Sequence, residues 1–214
     1  MREIPRAEAI LFDLDGTLVD SRRDIADALG RALVAHGREA LPLPVVLPMI
    51  GDGARSLVAR ALATDDDALV TEVLATFRER YLAAPCGFTT LLPGAREALE
   101  AAPRRAIVTN KPRDITLRVL AGLGITADEV WGGDDGPMKP APDGLLAVLT
   151  KLGVPPAAAW MVGDGPQDIG AGRAAGCFTI AVPGIAERER LEAAKPDRLV
   201  ASLHEVAALA IRSA

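Results

Sequence analysis

The feature that most restricts the fold of this chain is a rhythm that begins only after Phe88. Short apolar runs at 105–109, 129–131, 158–162, 179–182 and 198–200 alternate with stretches of helical spacing at 94–100, 113–123, 142–152, 167–175 and 203–212. Parallel neighbours cannot be joined by a tight turn and need a crossover, usually a helix. Strand–helix alternation of this kind therefore predicts an open parallel sheet with helices on both faces. One strand stands apart. Residues 9–14 form a buried-strand pattern that runs into the turn signal Asp15-Gly16-Thr17, with no helix returning directly to the sheet. From Asp20 to about Ala84 the chain is instead helix after helix. Asp20 or Ser21 can cap the first, whose apolar positions are Ile25, Leu29, Leu33 and Val34. Pro42 and Pro44 break it, and further helices are expected at 45–49, 54–63 and 67–82, with Thr64 and its acidic neighbours at the last start. The fold class expected is α/β. Residues 1–19 and 87–214 form the sheet domain, and 20–86 an α-helical insertion.

Composition narrows the chemistry. Only two His (His36, His204) and two Cys (Cys86, Cys177) occur among 214 residues, so zinc, disulfide and Ser–His systems are poorly supplied. His36 and His204 lie in helical patterns away from the candidate site and read as surface residues, and Cys177 as a small buried apolar one. The formal charge of −5 argues against a nucleic-acid or anionic-membrane surface. The only early apolar run, 9–12, is too short for a leader or a membrane span, so the cytoplasm is the expected location. Oligomeric state is left at monomer or homodimer.

Ligands of open α/β sheets bind at the carboxyl ends of the strands, so the polar residues there matter most. The first strand ends in Asp13 and Asp15, two apart and able to face one site. The next ends in Thr109-Asn110, Lys139 follows the 129–131 strand, and another strand ends in Asp164 with Asp168 four residues on. Crowded carboxylates repel unless a cation joins them, and hard oxygen donors favour Mg²⁺. A lysine with hydroxyl and amide donors suits a phosphoryl group. One Asp can attack phosphorus while a second handles the proton.

These segments, Phe12-Asp13-Leu14-Asp15-Gly16-Thr17-Leu18, Val108-Thr109-Asn110, Lys139-Pro140 and Val162-Gly163-Asp164 through Asp168, resemble the four motifs of the haloacid dehalogenase-like phosphohydrolase superfamily, in its order. The resemblance implies a Rossmann-like catalytic core, with Asp13 as nucleophile and Asp15 as general acid/base. It also implies Mg²⁺ held by the Asp13 carboxylate, the Asp15 backbone carbonyl and Asp164, with Asp168 supporting. Thr109, Asn110 and Lys139 would hold the phosphoryl oxygens, and residues 20–86 would form a substrate-selecting cap. Within the superfamily the chain is similar to phosphoglycolate phosphatases, through Asp20–Ile25, Ile50-Gly51-Asp52-Gly53, Leu57–Leu62, Thr109-Asn110-Lys111-Pro112 and Gly132-Gly133-Asp134. Asp52 stands where Asn is more usual, and Gly165-Pro166 replaces commoner polar residues, so Pro166 is expected to alter the metal loop.

The activity implied is hydrolysis of a small phosphorylated metabolite, 2-phosphoglycolate first, with Arg55 or Arg60 pairing its carboxylate. The same two arginines read equally well as solvated or salt-bridged helix residues. Scarce aromatics leave little to stack a nucleobase, which favours a small charged substrate. A sugar phosphomutase is the alternative, although Ile25 occupies about the place where the resembling mutases carry a histidine. Phosphonate hydrolysis needs a cap lysine, and residues 20–86 contain none. A non-catalytic phosphate-binding regulatory module is the reading from a different class.

Overall fold

The structure, a computed structural model, describes residues 3–184 and 188–213; Met1 and Arg2, part of the stretch scanned for a leader, lie outside the described residues. Six strands form one parallel sheet: β1 (Ala9–Phe12), β4 (Arg105–Val108), β5 (Glu129–Trp131), β6 (Ala159–Gly163), β7 (Phe178–Ala181) and β8 (Arg198–Leu199). Their spatial order is β5-β4-β1-β6-β7-β8. The expected α/β architecture is thus observed. The first strand occupies the centre, with Phe12 opposite both Ile107 and Val162. From β1 the chain builds outward through β4 to β5, then crosses back to β6 and builds the other way. The order therefore reverses at β1, and a crevice opens there at the strands' carboxyl ends.

Alternation along β1 distributes its side chains between the two faces. Ile10 and Phe12 join the larger core with Ile115 and Val119 of α6 (Arg113–Gly122) and Val206 and Leu209 of α10 (Leu203–Ser213). Ala9 and Leu11 pack on the opposite side with Leu145, Val148 and Leu149 of α7 (Asp143–Leu152), beside α8 (Pro166–Ala175). The remaining sheet-side helix on the first face, α5 (Ala95–Ala101), packs against α10. Two of the few aromatics, Trp160 and Phe178, meet in the core at 6.1 Å between centroids, and the Trp160 indole donates to the Pro5 carbonyl at 3.1 Å.

Residues 22–83 contribute no strand to this sheet. They form α1 (Arg22–Ala35), α2 (Leu43–Val46) with a short 3₁₀ turn at Leu47–Met49, α3 (Ala54–Leu62) and α4 (Asp67–Ala83). None of the described helices is long and apolar enough to cross a membrane. Asp66 caps α4, accepting from the backbone N–H groups of Ala68 and Leu69. Two-residue strands β2 (Val19–Asp20) and β3 (Thr90–Leu91), too short to leave a periodic signature, pair antiparallel where the chain enters and leaves the helical segment. Near the other end of the chain, residues 189–197 read in the sequence as a helix and turn with no role. The structure places α9 (Arg188–Ala193) there and makes Asp197 a fastener between β7 and the chain entering β8. Its carboxylate accepts from the Thr179 N–H at 2.9 Å and the Thr179 hydroxyl at 3.0 Å.

A second buried carboxylate fastens the helical segment at its base. Asp24 of α1 accepts from Phe88 N–H at 3.0 Å, Thr89 N–H at 2.7 Å and the Thr89 hydroxyl at 2.5 Å. Truncating it leaves buried donors without partners, a loss of about 1–3 kcal/mol for each. Asp24→Ala is expected to lower the unfolding free energy by about 2–4 kcal/mol in urea titration, and a change under about 0.5 kcal/mol would mean that this fastening is not structural.

Candidate active site

The crevice at the head of β1 is built by a turn that only glycine allows. After Phe12 the chain turns through residues 13–18, with Leu18 and Val19 N–H groups returning to the Leu14 carbonyl. Gly16 takes φ +89° there, and a Cβ on it would stand 2.4 Å from an Asp164 carboxylate oxygen. A side chain at 16 is therefore excluded twice, by backbone strain and by contact. The turn carries Asp13 and Asp15 together, and the Thr17 hydroxyl donates to Asp164 Oδ1 at 2.8 Å.

Lys139 forms one wall. Its ammonium, buried, lies 2.7 Å from Asp13 Oδ1 and 2.7 Å from Asp168 Oδ1, and donates to the Val108 carbonyl at 2.6 Å. Burial opposes its charge, but Asp13 and Asp168 outweigh that and hold its pKa above the ordinary lysine value. Asp168 is fully buried at the third position of α8, where Oδ2 accepts from the Gly165 N–H at 2.9 Å. It serves helix and site together. Burial pushes its pKa up to about 6, with Lys139 opposing and Asp13 adding to the rise. Pro166 sits in the first turn of α8, where its missing N–H is no loss and its fixed φ suits the helix. The expected disturbance of this loop by Pro166 is thus absorbed by the helix start.

Oxygens of Asp13, Asp164 and Asp168 all lie within 4.8 Å of one another, and the Lys139 ammonium is the charge partner of the buried Asp168 Oδ1. Together with Asp15, four carboxylates face two buried ammonium groups. The surplus of two negative charges and an all-oxygen donor set fit a hard divalent cation such as Mg²⁺.

The second ammonium was not among the sequence candidates. Lys111, two residues past Thr109, is 6% exposed. Its Nζ donates to both Asp15 oxygens at 3.0 and 3.1 Å and to the Tyr81 hydroxyl of α4 at 2.7 Å, lying 4.3 Å from that ring's centre. Burial opposes this charge too, and Asp15 with Tyr81 raises the pKa well above the ordinary range. Ser21 was also overlooked as a site residue. It does not cap α1; its hydroxyl donates instead to Asp15 Oδ1 at 2.5 Å, while Asp20 accepts from the Arg22 N–H. The i/i+2 rule that paired Asp13 with Asp15 also pairs Thr109 with Lys111. Tyr81 gave no such signal, because its spacing from Phe77 is that of an ordinary core face.

The structure brings Asp13, Asp15, Thr109, Lys139, Asp164 and Asp168 to this crevice. Thr109 is buried on it, its hydroxyl accepting from the Lys111 N–H at 3.2 Å. Asn110 is there as well but is already engaged. Its Oδ1 accepts from Lys139 N–H at 2.8 Å, and its amide donates at 3.0 Å to the carbonyls of Lys139 and Gly51. Its side chain thus holds Lys139 and the helical segment. Arg55 and Arg60 are not brought in. Arg55 is exposed and pairs with Asp67 and Thr71, while Arg60 pairs with Asp52 at 2.5 Å and the Met49 carbonyl at 3.2 Å. Neither lines the cavity above Asp13. His36 shares a hydrogen bond with Thr76 at 2.9 Å, and Cys177 is buried, its thiol pushed up to about 12 by desolvation.

A profile of the haloacid dehalogenase-like hydrolases matches residues 7–176, and the chain belongs to that family. Within it the likeness is to phosphatases. Over 184 residues it is 39% identical to phosphoglycolate phosphatase of Rhodospirillum rubrum, covering 79% of this chain and 76% of that one. It is 39% identical over 180 residues to phosphoglycolate phosphatase of Pseudomonas putida, spanning 78% of this chain and 66% of that protein's length. Among solved structures, one described as a predicted phosphoglycolate phosphatase from Haemophilus somnus superposes with a TM-score of 0.87 at 29% identity, covering 95% of this chain and 98% of that one.

Tyr81 is the only tyrosine, so its titration can be read directly. Desolvation pushes its phenol up to about 12, with Lys111 opposing. The phenolate absorbance should therefore rise near pH 12 in the native protein and nearer 10 in urea. A native midpoint near 10 would place Tyr81 in water rather than against Lys111.

Proposed function

We propose that this protein is a Mg²⁺-dependent phosphomonoesterase that hydrolyses a small phosphorylated metabolite, with 2-phosphoglycolate as the candidate substrate, through an aspartyl-phosphate on Asp13. The observation that carries the reading is the buried constellation itself. Asp13 stands beside Lys139, Asp15 is fixed two residues on, and Asp164 and Asp168 complete an oxygen cluster at the sheet's switch point. The names of the Rhodospirillum and Pseudomonas relatives support the choice of substrate.

In this mechanism the Asp13 carboxylate attacks phosphorus, forming an oxygen–phosphorus bond as the ester bond breaks. Lys139 and Thr109 offset the charge that spreads over the equatorial oxygens. Asp15, held by Ser21 and Lys111, gives a proton to the leaving oxygen. In the second half it takes a proton from water attacking the phospho-aspartate, releasing phosphate and restoring Asp13. The Asp13 and Asp164 carboxylates and the Asp15 backbone carbonyl would hold Mg²⁺, with Asp168 supporting. Bound there, the cation supplies charge neutralisation and Lewis-acid stabilisation of the transferring group.

Residues 20–86 act in this reading as a cap that opens to admit substrate and closes to exclude water. The cavity under them is lined by Ile25, Leu57 and Phe77 beside Asp13 and Asp15. With Ile25 on that wall in place of a histidine, nothing favours the phosphomutase reading. The cytoplasm is the setting proposed for the reaction.

Phosphate release from a panel of small phosphomonoesters should depend on added Mg²⁺ and fall to background after chelation. Asp13→Asn is expected to lower kcat by at least about 10³-fold. Activity that survives the substitution would sink the nucleophile assignment, and a wild-type protein indifferent to chelation would sink the metal.

A further inference from the structure

We propose that Lys111 and Tyr81 together recognise a carboxylate on the substrate, in the role the sequence offered to Arg55 or Arg60. The proposal deepens the phosphatase reading and rests on it. Its first support is position. Among the residues lining the cavity above Asp13, Lys111 is the only cation. The rest of the wall toward the helical segment is apolar, apart from the Tyr81 hydroxyl. A substrate whose phosphoryl group lies at Asp13 and whose second charge stays in this cavity therefore meets Lys111 as its cation.

The second support is hydrogen-bond capacity. An ammonium can only donate, so the Tyr81 oxygen accepts from Lys111 at 2.7 Å. Tyr81 is 1% exposed, and among the described residues no acceptor takes its phenol proton. That proton remains available on the cavity wall beside a positive charge. The Tyr81 O–H is the free donor, and the Lys111 charge beside it favours an anionic acceptor such as a carboxylate.

The third support is proximity. Asp13, Asp15 and Lys111 line one cavity, and Lys111 Nζ lies within 3.1 Å of both Asp15 oxygens, so a phosphate at Asp13 and a carboxylate beside Lys111 are joined by a short carbon chain. The ligand class is a phosphate monoester bearing a carboxylate within a carbon or two of the ester oxygen. Sugar phosphates, which carry no charge beyond the phosphoryl group, and bulky esters meet the Lys111–Asp15 pair and apolar side chains instead. A site built around buried polar groups rejects a substrate lacking their partner far more strongly than an apolar pocket rejects a missing methylene.

Paired substrates test this: 2-phosphoglycolate, and ethyl phosphate, which replaces the carboxylate by a methyl group. The readout is the ratio of their kcat/KM values, which separates recognition from any effect of Lys111 on Asp15. The wild type should favour 2-phosphoglycolate by at least about 100-fold. Lys111→Met should cut the ratio about 100-fold or more, with Lys111→Arg restoring part of it. Tyr81→Phe, which keeps the packing, should cut it about tenfold. If Lys111→Met lowers both activities by one common factor, or if the wild type does not discriminate, the assignment is overturned while the phosphatase reading stands. If the wild type releases phosphate from neither ester nor from the wider panel, the phosphatase reading falls and this one with it.

Discussion

The architecture depends on keeping four carboxylates in one crevice without a charge imbalance that would unfold it. Two unit charges 4 Å apart repel by about 4 kcal/mol at an effective dielectric constant of 20, and Asp13, Asp164 and Asp168 are buried close to that range of one another. Two devices make this tolerable. Lys139 is sunk among them, its ammonium reaching both Asp13 and Asp168. The surrounding backbone also comes unusually close, through glycines that leave no Cβ: Gly16 and Gly184 against Asp164, and Gly163 against Asp168. Neither device neutralises the crevice fully, and the residual negative charge suits a divalent cation.

The topology decides why these groups meet at all. Residues 13, 109 and 164 lie far apart in sequence, yet each directly follows the end of a strand, and the three strands β4, β1 and β6 are neighbours. Placing β1 in the middle requires the chain to leave it in one direction and return on the other side. The helical segment leaves just after β1, so it starts beside the crevice. Arg78 spans to Asp114 and Asp134 at 3.0 Å each in partly exposed positions, where ion pairs contribute little. The more buried ties are Asp24 to Thr89 at the base, and Asn110 to Gly51 and Lys111 to Tyr81 at the crevice. The last two run through residues adjoining the site, so the seating of the segment and the surroundings of Asp15 are coupled.

Much of this was legible in the sequence because it follows from periodicity and local chemistry. Strand–helix alternation after Phe88, with the apolar run at 9–14, located every strand of the large sheet to within a residue or two, and strand ends located the polar residues of the crevice. The features that escaped depend on contacts across the fold. The β2–β3 pair is two residues long on each side and has no periodicity to read. Ser21 looked like a helix cap, since a hydroxyl before a helix usually is one, and only the proximity of Asp15 redirects it. Arg55 and Arg60 offered the right charge on the right segment, but they sit on outward-facing positions of α3 with carboxylates nearby. A charge pattern names candidates; it does not say which way a helix is turned.

Lys111 and Lys139 divide the electrostatic work between them, and the division follows from where each approaches. Lys139 comes from the loop beyond β5, pinned by Asn110, and meets the face of Asp13 shared with Asp168. Lys111 comes from the end of β4 and meets Asp15, on the side covered by α4. Each ammonium therefore stays charged despite its burial, because each has a carboxylate within 3.0 Å. The distinction lies in what else each can touch. Lys139 is enclosed by carboxylates and a backbone carbonyl and has no route to a group on the far side of the substrate. Lys111 borders the helical segment, and one of its partners, Tyr81, belongs to that segment. The charge beside Asp15 is therefore tied to α4 through the Tyr81 hydrogen bond, whereas the partners of Lys139 all lie in the sheet domain.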